Sequence, residues 1–430
     1  MKIIKEKNTT FDVDGIKEFI EKYAMLNRVA VCDETNEVAE EVAQKLGGEI
    51  ISIPSGTECL TWIIPKRWQV KEAYIETMDG KKIVEFKDNP LHLFSYSIPF
   101  DGILTKEELE NHLFYDKENP KNIPYHYSYQ YAFGQEGWGF CLSYDEYKQM
   151  NDEKYRVFID SDIDDGVMKI TDYYIKGESE ETILIAAHNC HPGLVNDGLS
   201  SVAIALELFK YLKTKKNRYS YRLVIGPEFY AAAGFLARAQ DVDKIKYGIY
   251  LDMLGNNEHM GLSHSFKQDT YIDKVMNKTI SVHDKGFVSA SYRGLSGNDE
   301  FFYDGPDFYI PMVCLGRYDY SEYHLDSDNI ENCDFVGLER HFNFLKDVIR
   351  VLETDFVPVR QYKGPLYLSR YGISKNTKAN VSQAIALDKI QILMDGRHSC
   401  LEIADKLDVE YDFVYGFTKK LFEKDLVKKI

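Results

Sequence analysis

One loop, between a predicted buried strand and a predicted apolar helix, carries residue types that bind metal ions. Residues 184–201 read LIAAHNCHPGLVNDGLSS, so His188, His191 and Asp197 fall between the two elements. A strand, a polar loop and a helix form the crossover unit of an open α/β sheet, which binds ligands at the carboxyl ends of its strands. Imidazole and carboxylate groups are the usual ligands of Zn²⁺. Helix capping could explain Asn196 or Asp197, but it does not explain two histidines. We therefore favour a metal site.

Three further polar residues follow predicted strands. Glu228 ends YRLVIGPE, Asp252 ends KYGIYLD, and His324 lies in the loop after IPMVCLGR. The carboxyl ends of these strands should meet at one edge of a mostly parallel sheet, together with His188 and Asp197. One or two metal ions could bind there. Two ions bridged by one carboxylate would activate water and polarise a carbonyl, and a second carboxylate would act as general base.

The remaining pattern predicts the scaffold. Helical spacing over 14–26 and 332–353, with apolar strands between such helices, predicts an α/β fold with an open, mixed, mostly parallel sheet and helices on both faces. We assign 1–55 and 156–358 to this domain. Alternating residues and Pro/Gly turns predict a β-rich inserted domain at 56–155. Three short helices and a final strand in 359–430 predict a winged helix.

The inserted domain is rich in aromatic residues. Trp62, Trp68, Trp138 and the stretch PYHYSYQY could form a platform for a sugar or a peptide. Aromatic residues also commonly fill the core of a small β domain. We favour the core interpretation.

Charge and cysteine content limit the partners and the compartment. The chain has 52 Lys+Arg against 69 Asp+Glu, a net charge of −17, which disfavours a nucleic-acid-binding surface. The last predicted helix also mixes lysines with acids, so we prefer a protein–protein or dimerisation role for the winged helix over DNA binding. Homo-oligomers could form through it or through the insert. Seven scattered cysteines, no signal-peptide pattern and no long apolar run predict a cytoplasmic protein without a membrane span.

The order His, Asp, Glu, Asp, His, with HNCHPGLVNDG, YLDMLG and YHLDSD around it, resembles the co-catalytic zinc aminopeptidases of the bacterial leucyl-aminopeptidase type. The resemblance covers about 160–350 and extends to 1–55. The whole chain resembles a bacterial subgroup with a β-rich insert and a C-terminal winged helix, linked to polysaccharide biosynthesis. The resemblance to the zinc aminopeptidases implies that His188 and Asp252 bind one zinc ion and that Glu228 and His324 bind the other. It also implies that Asp197 bridges the two ions.

The chain departs from that family at two positions. Cys190 stands where the family has an Asp that supports the first His, and His191 could take over as a ligand or as a support. The family has two adjacent Glu residues, whereas this chain has only Glu228. If Glu228 is a ligand, the base must come from elsewhere, with Glu300 or Asp299 as candidates. If Glu228 is the base, one metal ion lacks a ligand.

Two functions from different classes follow. The first is a zinc-dependent hydrolase, an aminopeptidase acting on small peptides or an amidase acting on an amino-acid or amino-sugar conjugate. The alternative is a catalytically impaired metal-binding or regulatory protein that uses the winged helix for contacts with a partner or DNA. Arg293 and Arg317 could hold a substrate carboxylate, but we prefer surface solvation for both.

Overall fold

The structure is a computed structural model that describes residues 11–373 and 381–430. It begins with α1 (Val13–Tyr23), α2 (Asp33–Leu46) and β1 (Glu49–Pro54). The apolar face of α1 is buried, as its helical spacing predicts, through Ile16, Phe19, Ile20 and Tyr23. Gly47 ends α2 with φ at 79°, a left-handed conformation that glycine adopts at little cost.

The segment that follows consists of short elements. They are β2 (Glu58–Cys59), β3 (Trp62–Ile63), β4 (Arg67–Thr77), β5 (Lys82–Glu85), β6 (Phe100–Thr105), α3 (Lys106–Glu110), β7 (Leu113–Phe114), α4 (Ser128–Tyr131), β8 (Phe140–Cys141), α5 (Tyr144–Gln149) and β9 (Lys154–Asp164). An antiparallel sheet in the order β5-β4-β9-β6 organises them. Trp68 and Trp138 are buried, which confirms the core interpretation for these two residues. Trp62 is only partly buried.

The chain then returns to longer elements. They are β10 (Val167–Ile175), β11 (Thr182–His188), α6 (Leu199–Lys213), β12 (Ser220–Gly226), α7 (Tyr230–Leu236), β13 (Ile245–Leu251), β14 (Met260–Ser263), α8 (Tyr271–His283), β15 (Val288–Ala290), α9 (Glu300–Tyr303), β16 (Met312–Arg317) and α10 (Phe335–Thr354). All seven residues of β11 are buried, as the apolar run ILIAA between Thr182 and His188 predicts.

An eight-stranded sheet in the order β1-β10-β12-β11-β13-β16-β14-β15 carries the candidate site. Its four central strands, β12, β11, β13 and β16, are parallel to one another. The pairs β1–β10, β10–β12 and β14–β16 are antiparallel. The predicted α/β fold with an open mixed sheet is confirmed. The parallel strands bring their carboxyl ends to one edge, as the pairing of His188 with Gly226 shows.

The last elements are β17 (Pro358–Arg360), α11 (Val381–Leu393), α12 (Cys400–Lys406), α13 (Tyr411–Phe422) and β18 (Val427–Lys429), with β17 and β18 antiparallel. The described residues form two compact units. One combines the described part of 1–268 with Val288–Phe342, and the other combines Asp269–Phe287 with the described part of 343–430. The predicted division into an α/β domain, an inserted domain and a winged helix stays a prediction. None of the described helices has the length and apolarity needed to cross a membrane.

Candidate metal centre

The sheet edge brings together one group of potential metal ligands, His188, Asp197 and Asp252, which we call the strand-end group. His188 is the last residue of β11, and Asp252 directly follows β13. His188 Nε2 lies 3.2 Å from Asp197 Oδ1 and 3.2 Å from Asp252 Oδ1. All three residues are buried, and their ligand atoms lie within 4.8 Å of one another. The predicted convergence of these three residues is therefore present in the fold.

A second group shares Asp197 and adds two histidines from loops. This loop group consists of His191, Asp197 and His324, whose ligand atoms also lie within 4.8 Å of one another. His324 Nε2 lies 3.1 Å from Asp197 Oδ2. His191 and His324 have φ angles of 84° and 57°, in a region that non-glycine residues rarely adopt and that is common at functional sites. Asp197 thus presents one carboxylate oxygen to each group.

The ligand geometry suits divalent metal ions. Atoms bound tetrahedrally to Zn²⁺ at 2.0–2.1 Å lie roughly 3.3 Å apart, close to the three imidazole–carboxylate distances given above. Asp197 Oδ2 is buried, yet it accepts a hydrogen bond from none of the described residues, although His324 Nε2 is near. The two atoms therefore lie side by side, as two ligands of one ion do. A cation would also satisfy this otherwise unpaired buried oxygen.

Neighbouring groups fix the carboxylates of the strand-end group. The Asp328 carboxylate accepts hydrogen bonds from the backbone N–H groups of Asn196 (2.6 Å) and Asp197 (2.9 Å). Asn298 Nδ2 donates to Asp252 Oδ2 at 2.7 Å. Groups that orient metal ligands in this way raise metal affinity. Asp328 lies in the YHLDSD motif and could be suspected from the sequence, whereas no sequence signal identified Asn298.

Cys190 lies beside the imidazoles of both His188 and His191. Its Sγ is 3.8 Å from His188 Nδ1 and 3.4 Å from His191 Nδ1, and it accepts a hydrogen bond from the Glu228 N–H at 3.3 Å. The Nδ1 atoms therefore face the thiol side. This leaves His188 Nε2 directed toward the carboxylates of the strand-end group.

Two close contacts hold the His188 loop in place. A Cβ atom on Gly198 would lie 2.7 Å from His188 Cε1, so the backbone passes directly against the imidazole ring. The buried guanidinium of Arg28 donates to the carbonyl oxygens of Asn189 (3.0 Å) and Cys190 (3.3 Å) and also bonds that of Leu194. Arg28 is far away in sequence, and sequence reasoning did not find it.

The buried site shifts the pKa values of its own groups. Burial disfavours a charged His188, but hydrogen bonds to Asp197 and Asp252 outweigh it and raise the His188 pKa well above its usual range. Burial lowers the pKa of His191 to about 3 and raises that of Glu228 to about 8. Burial opposes ionisation of Asp197, but the surrounding imidazoles hold its pKa well below the usual range. The free protein therefore favours a neutral His191 beside an ionised Asp197.

Glu228 lies next to the loop group. Its Oε2 is 3.9 Å from His191 Nε2 and accepts a hydrogen bond from the Tyr131 hydroxyl at 3.0 Å. Both Glu228 and Tyr131 line a cavity of about 480 Å³. Because Glu228 Oε2 lies beyond hydrogen-bond distance of His191 Nε2, its carboxylate can act on a substrate in that cavity. Tyr131 comes from the predicted insert, and sequence reasoning did not assign it to the site.

The other candidate residues lie apart from this cavity. The Glu300 carboxylate accepts hydrogen bonds from the Asn298 N–H at 2.9 and 3.1 Å and pairs with Arg293 at 3.4 Å. Asp299 accepts a hydrogen bond from the Phe229 N–H at 2.6 Å. Arg317 is buried and donates to the Glu258 carbonyl oxygen at 2.7 Å, so the expectation of surface solvation is wrong for this residue. The described residues that line the cavity include none of Glu300, Asp299, Arg293 and Arg317.

The cavity presents both ligand groups to a substrate. Of the described ligand residues, His191, Asp197, Asp252 and His324 contribute to its wall, and His188 lies behind them. Aromatic rings form much of the remaining wall, namely Tyr127, Tyr131, Phe229, Tyr318, Tyr320 and Tyr323. An apolar wall with a few convergent polar groups is typical of a small-molecule site.

Comparisons with known proteins identify a family and a relative of this chain. Residues 17–355 match the family model described as a domain of unknown function, DUF4910. A Clostridium acetobutylicum protein is 31% identical over 393 residues, which cover 89% of this chain and 88% of that protein. It is named as a candidate polysaccharide biosynthesis protein with an aminopeptidase-like domain.

Two solved structures share the fold. A crystal structure from Clostridium acetobutylicum, provisionally described as a peptidase, has a TM-score of 0.87 and 28% identity, covering 97% of this chain and 96% of that one. The zinc aminopeptidase BSAP of Bacillus subtilis has a TM-score of 0.58 and 12% identity, covering 80% of this chain and 96% of that one. The chain belongs to the DUF4910 family, and its fold is that of the zinc aminopeptidases.

Proposed function

We propose that the protein is a zinc-dependent hydrolase that removes the N-terminal residue of small peptides or cleaves a related amide. The observation that carries this proposal is the pair of ligand groups that share Asp197 beside the carboxylate of Glu228. Such an arrangement fits two metal ions and one general base around a single cavity. The likeness in fold to a zinc aminopeptidase supports the same reaction class.

The proposed ligand sets follow the two groups. His188 and Asp252 would hold one ion, His191 and His324 would hold the other, and Asp197 would contact both. When bound, the ions would supply Lewis-acid chemistry, which polarises the scissile carbonyl and lowers the pKa of water. His191 thereby takes the ligand place that the resemblance had given to Glu228. The set of nitrogen and oxygen ligands suits Zn²⁺.

This arrangement releases Glu228 for proton transfer. Its carboxylate would accept the proton of the attacking water at an Oε atom and pass it to the nitrogen of the leaving amine. The Tyr131 hydroxyl, 3.0 Å from Oε2, would hold the carboxylate in the orientation for that transfer. Glu300 is engaged with the Asn298 N–H and Arg293, so we do not assign it the role of base.

The aromatic wall of the cavity suits a substrate with a flat or apolar portion next to the scissile amide. An amide of an amino sugar belongs to the same chemical class as an N-terminal peptide bond. The name of the Clostridium acetobutylicum relative, which includes polysaccharide biosynthesis, supports testing such conjugates beside peptides.

The test combines metal analysis with a substrate panel. Protein purified without chelator should contain divalent metal, measured by elemental mass spectrometry, and should hydrolyse at least one aminoacyl anilide, dipeptide or aminoacyl amino sugar. Chelation should abolish turnover, and Zn²⁺ should restore it. Protein without bound metal would overturn the metal centre. Metal-loaded protein that hydrolyses none of these amides would overturn the enzymatic function and favour the regulatory alternative.

A further inference from the structure

We propose that a second cavity beside the metal centre binds a neutral sugar ring of the substrate. This inference rests on the proposed hydrolase function and specifies the substrate as a glycan-linked amide. The second cavity has a volume of about 710 Å³, against about 480 Å³ for the metal cavity. Residues of the segment 56–165 form its wall, together with Tyr230. We call it the aromatic cavity.

Aromatic rings give this cavity its surfaces. Trp62, Tyr129, Tyr131, Phe133 and Tyr230 all line it. The Trp62 ring is supported by edge contacts with Tyr230 at 5.3 Å, measured between ring centroids. Phe133 is 84% exposed, so nothing in the described part of the chain covers most of its ring. The C–H faces of pyranose rings pack against such aromatic faces, while the hydroxyl groups remain free for hydrogen bonds.

A buried hydrogen-bond donor in the cavity wall points to a ligand. Gln130 is only 3% exposed and lines the aromatic cavity. Its Oε1 accepts a hydrogen bond from the Ala30 N–H at 3.0 Å, which fixes the orientation of the amide. Its Nε2 bonds to none of the described residues. A buried N–H group without an acceptor is unfavourable, and a hydroxyl or acetamido oxygen of a bound sugar would supply one once the side chains that enclose Nε2 move apart.

The charged residues in the wall favour a neutral, hydroxyl-rich ligand over an anion. Lys66 is accompanied by two acids, Glu136 and Asp165, and by the amide of Gln135. Carboxylates accept hydrogen bonds from sugar hydroxyls, and side-chain amides both donate to them and accept from them. A phosphate-bearing ligand would instead meet an excess of negative charge. An apolar side chain of a peptide would leave Gln130 Nε2 without an acceptor.

Tyr131 connects the two cavities. It lines both of them, and its hydroxyl donates to Glu228 Oε2 at 3.0 Å. A substrate with its scissile amide at the metal centre could therefore place an attached sugar ring in the aromatic cavity. The sugar would contact the same ring that orients the proposed base.

The test measures binding separately from turnover. Isothermal titration calorimetry on the full chain should detect binding of a neutral N-acetylglucosamine oligosaccharide. Phe133→Ala should weaken it between about twofold and tenfold, through loss of one aromatic contact. Gln130→Glu keeps the acceptor for the Ala30 N–H but removes the free donor, and it should also weaken binding. Phe266→Ala alters another exposed ring, 61% accessible, outside this cavity and should leave binding unchanged.

Three results would overturn the sugar subsite. The first is failure of the oligosaccharide to bind the wild-type protein, and the second is equal binding by the wild-type protein and all three variants. The third is binding of a tripeptide amide in place of the oligosaccharide, with Phe133→Ala weakening the binding of the tripeptide amide. Asp197→Ala should keep the affinity for the oligosaccharide, because that residue lies outside the aromatic cavity. Absence of sugar binding therefore contradicts the subsite, whereas absence of turnover contradicts the proposed hydrolase function.

Discussion

The strand-end group and the loop group share Asp197 but are built on different kinds of backbone. His188 ends a fully buried strand and pairs with Gly226 of the next strand, and the Asp252 N–H donates to the Leu315 carbonyl oxygen of another strand of the same sheet. His191 and His324 lie in loops at positive φ. The His324 side chain is also 18% exposed, against 1% for His188. The comparison indicates one ion site built on the sheet and one built largely on loops.

The cavity sharpens this difference. His191 and His324 line it, as do Asp252 and the shared Asp197, whereas His188 lies behind the wall. We infer that His188 mainly holds and orients an ion, while both imidazoles of the loop group face the substrate. The following predictions test that division, beginning with the residue that both groups need.

The largest effect should come from Asp197→Asn, because the carboxylate serves both groups. We expect loss of both metal ions after dialysis and loss of turnover to background, measured by elemental mass spectrometry and by the rate on the best substrate of the panel. Asp304→Asn removes another carboxylate that is only 8% exposed, and it should keep both ions. Retention of two ions by Asp197→Asn would contradict a shared ligand.

The next effect should come from Glu228→Gln, which keeps the shape of the side chain but removes its basicity. We expect kcat to fall by about 10²–10⁴-fold with two ions still bound, since general-base catalysis contributes that much. The matched change Glu300→Gln should leave kcat within a few-fold of the wild-type value, because Glu300 does not line the cavity. The reverse ranking would assign the base to Glu300.

The sequence predicts the fold and the strand-end group, but it does not predict which glutamate faces the cavity. The fold class, and the meeting of His188, Asp197 and Asp252, follow from apolar strands whose carboxyl ends share one sheet edge. The place of His191 depends on a loop conformation at φ 84°, which no sequence period encodes. The cavity position of Glu228 and the interior position of Glu300 likewise depend on loop geometry.

The supporting residues were harder still to predict. Asn298 reaches Asp252 across 46 positions of sequence, and Tyr131 reaches Glu228 across 97. Such contacts depend on how separate loops pack against each other, and local propensity carries no information about them. Asp328 stood within the YHLDSD motif and Tyr131 within the PYHYSYQY stretch, but neither pattern indicated the partner of the residue.

A third prediction separates the two ion sites. Asp252→Ala should remove the strand-end ion, and His191→Ala should remove the loop ion, so each variant should bind one ion instead of two. In the wild-type protein, graded chelation should remove the loop ion first, because both of its histidines line the cavity, whereas His188 does not. Stoichiometry after each chelator step measures this order. Simultaneous loss of both ions in His191→Ala would contradict separable sites.

A smaller effect should come from Asn298→Ala, which removes the hydrogen bond to Asp252 Oδ2. Loss of a group that orients a metal ligand lowers metal affinity by about 10–100-fold, and the strand-end ion should be the one affected. Competition with a metal-binding dye measures the two affinities. Asn217→Ala removes another buried amide, which bonds the Leu212 carbonyl, and should change neither affinity. Equal weakening of both ions would indicate a general loss of packing instead.

The smallest effect should come from Tyr131→Phe, which removes the hydroxyl that bonds Glu228 but keeps the ring stacked on Tyr230 at 5.9 Å. Its 3.0 Å bond is long for a hydroxyl–carboxylate pair, so we expect kcat to fall only about twofold to tenfold. KM and the melting temperature should stay unchanged, because the ring still fills its place in both cavities. Tyr127→Phe alters another cavity tyrosine and should leave kcat unchanged. A rise in KM with constant kcat would show that the Tyr131 hydroxyl binds the substrate instead of positioning the base.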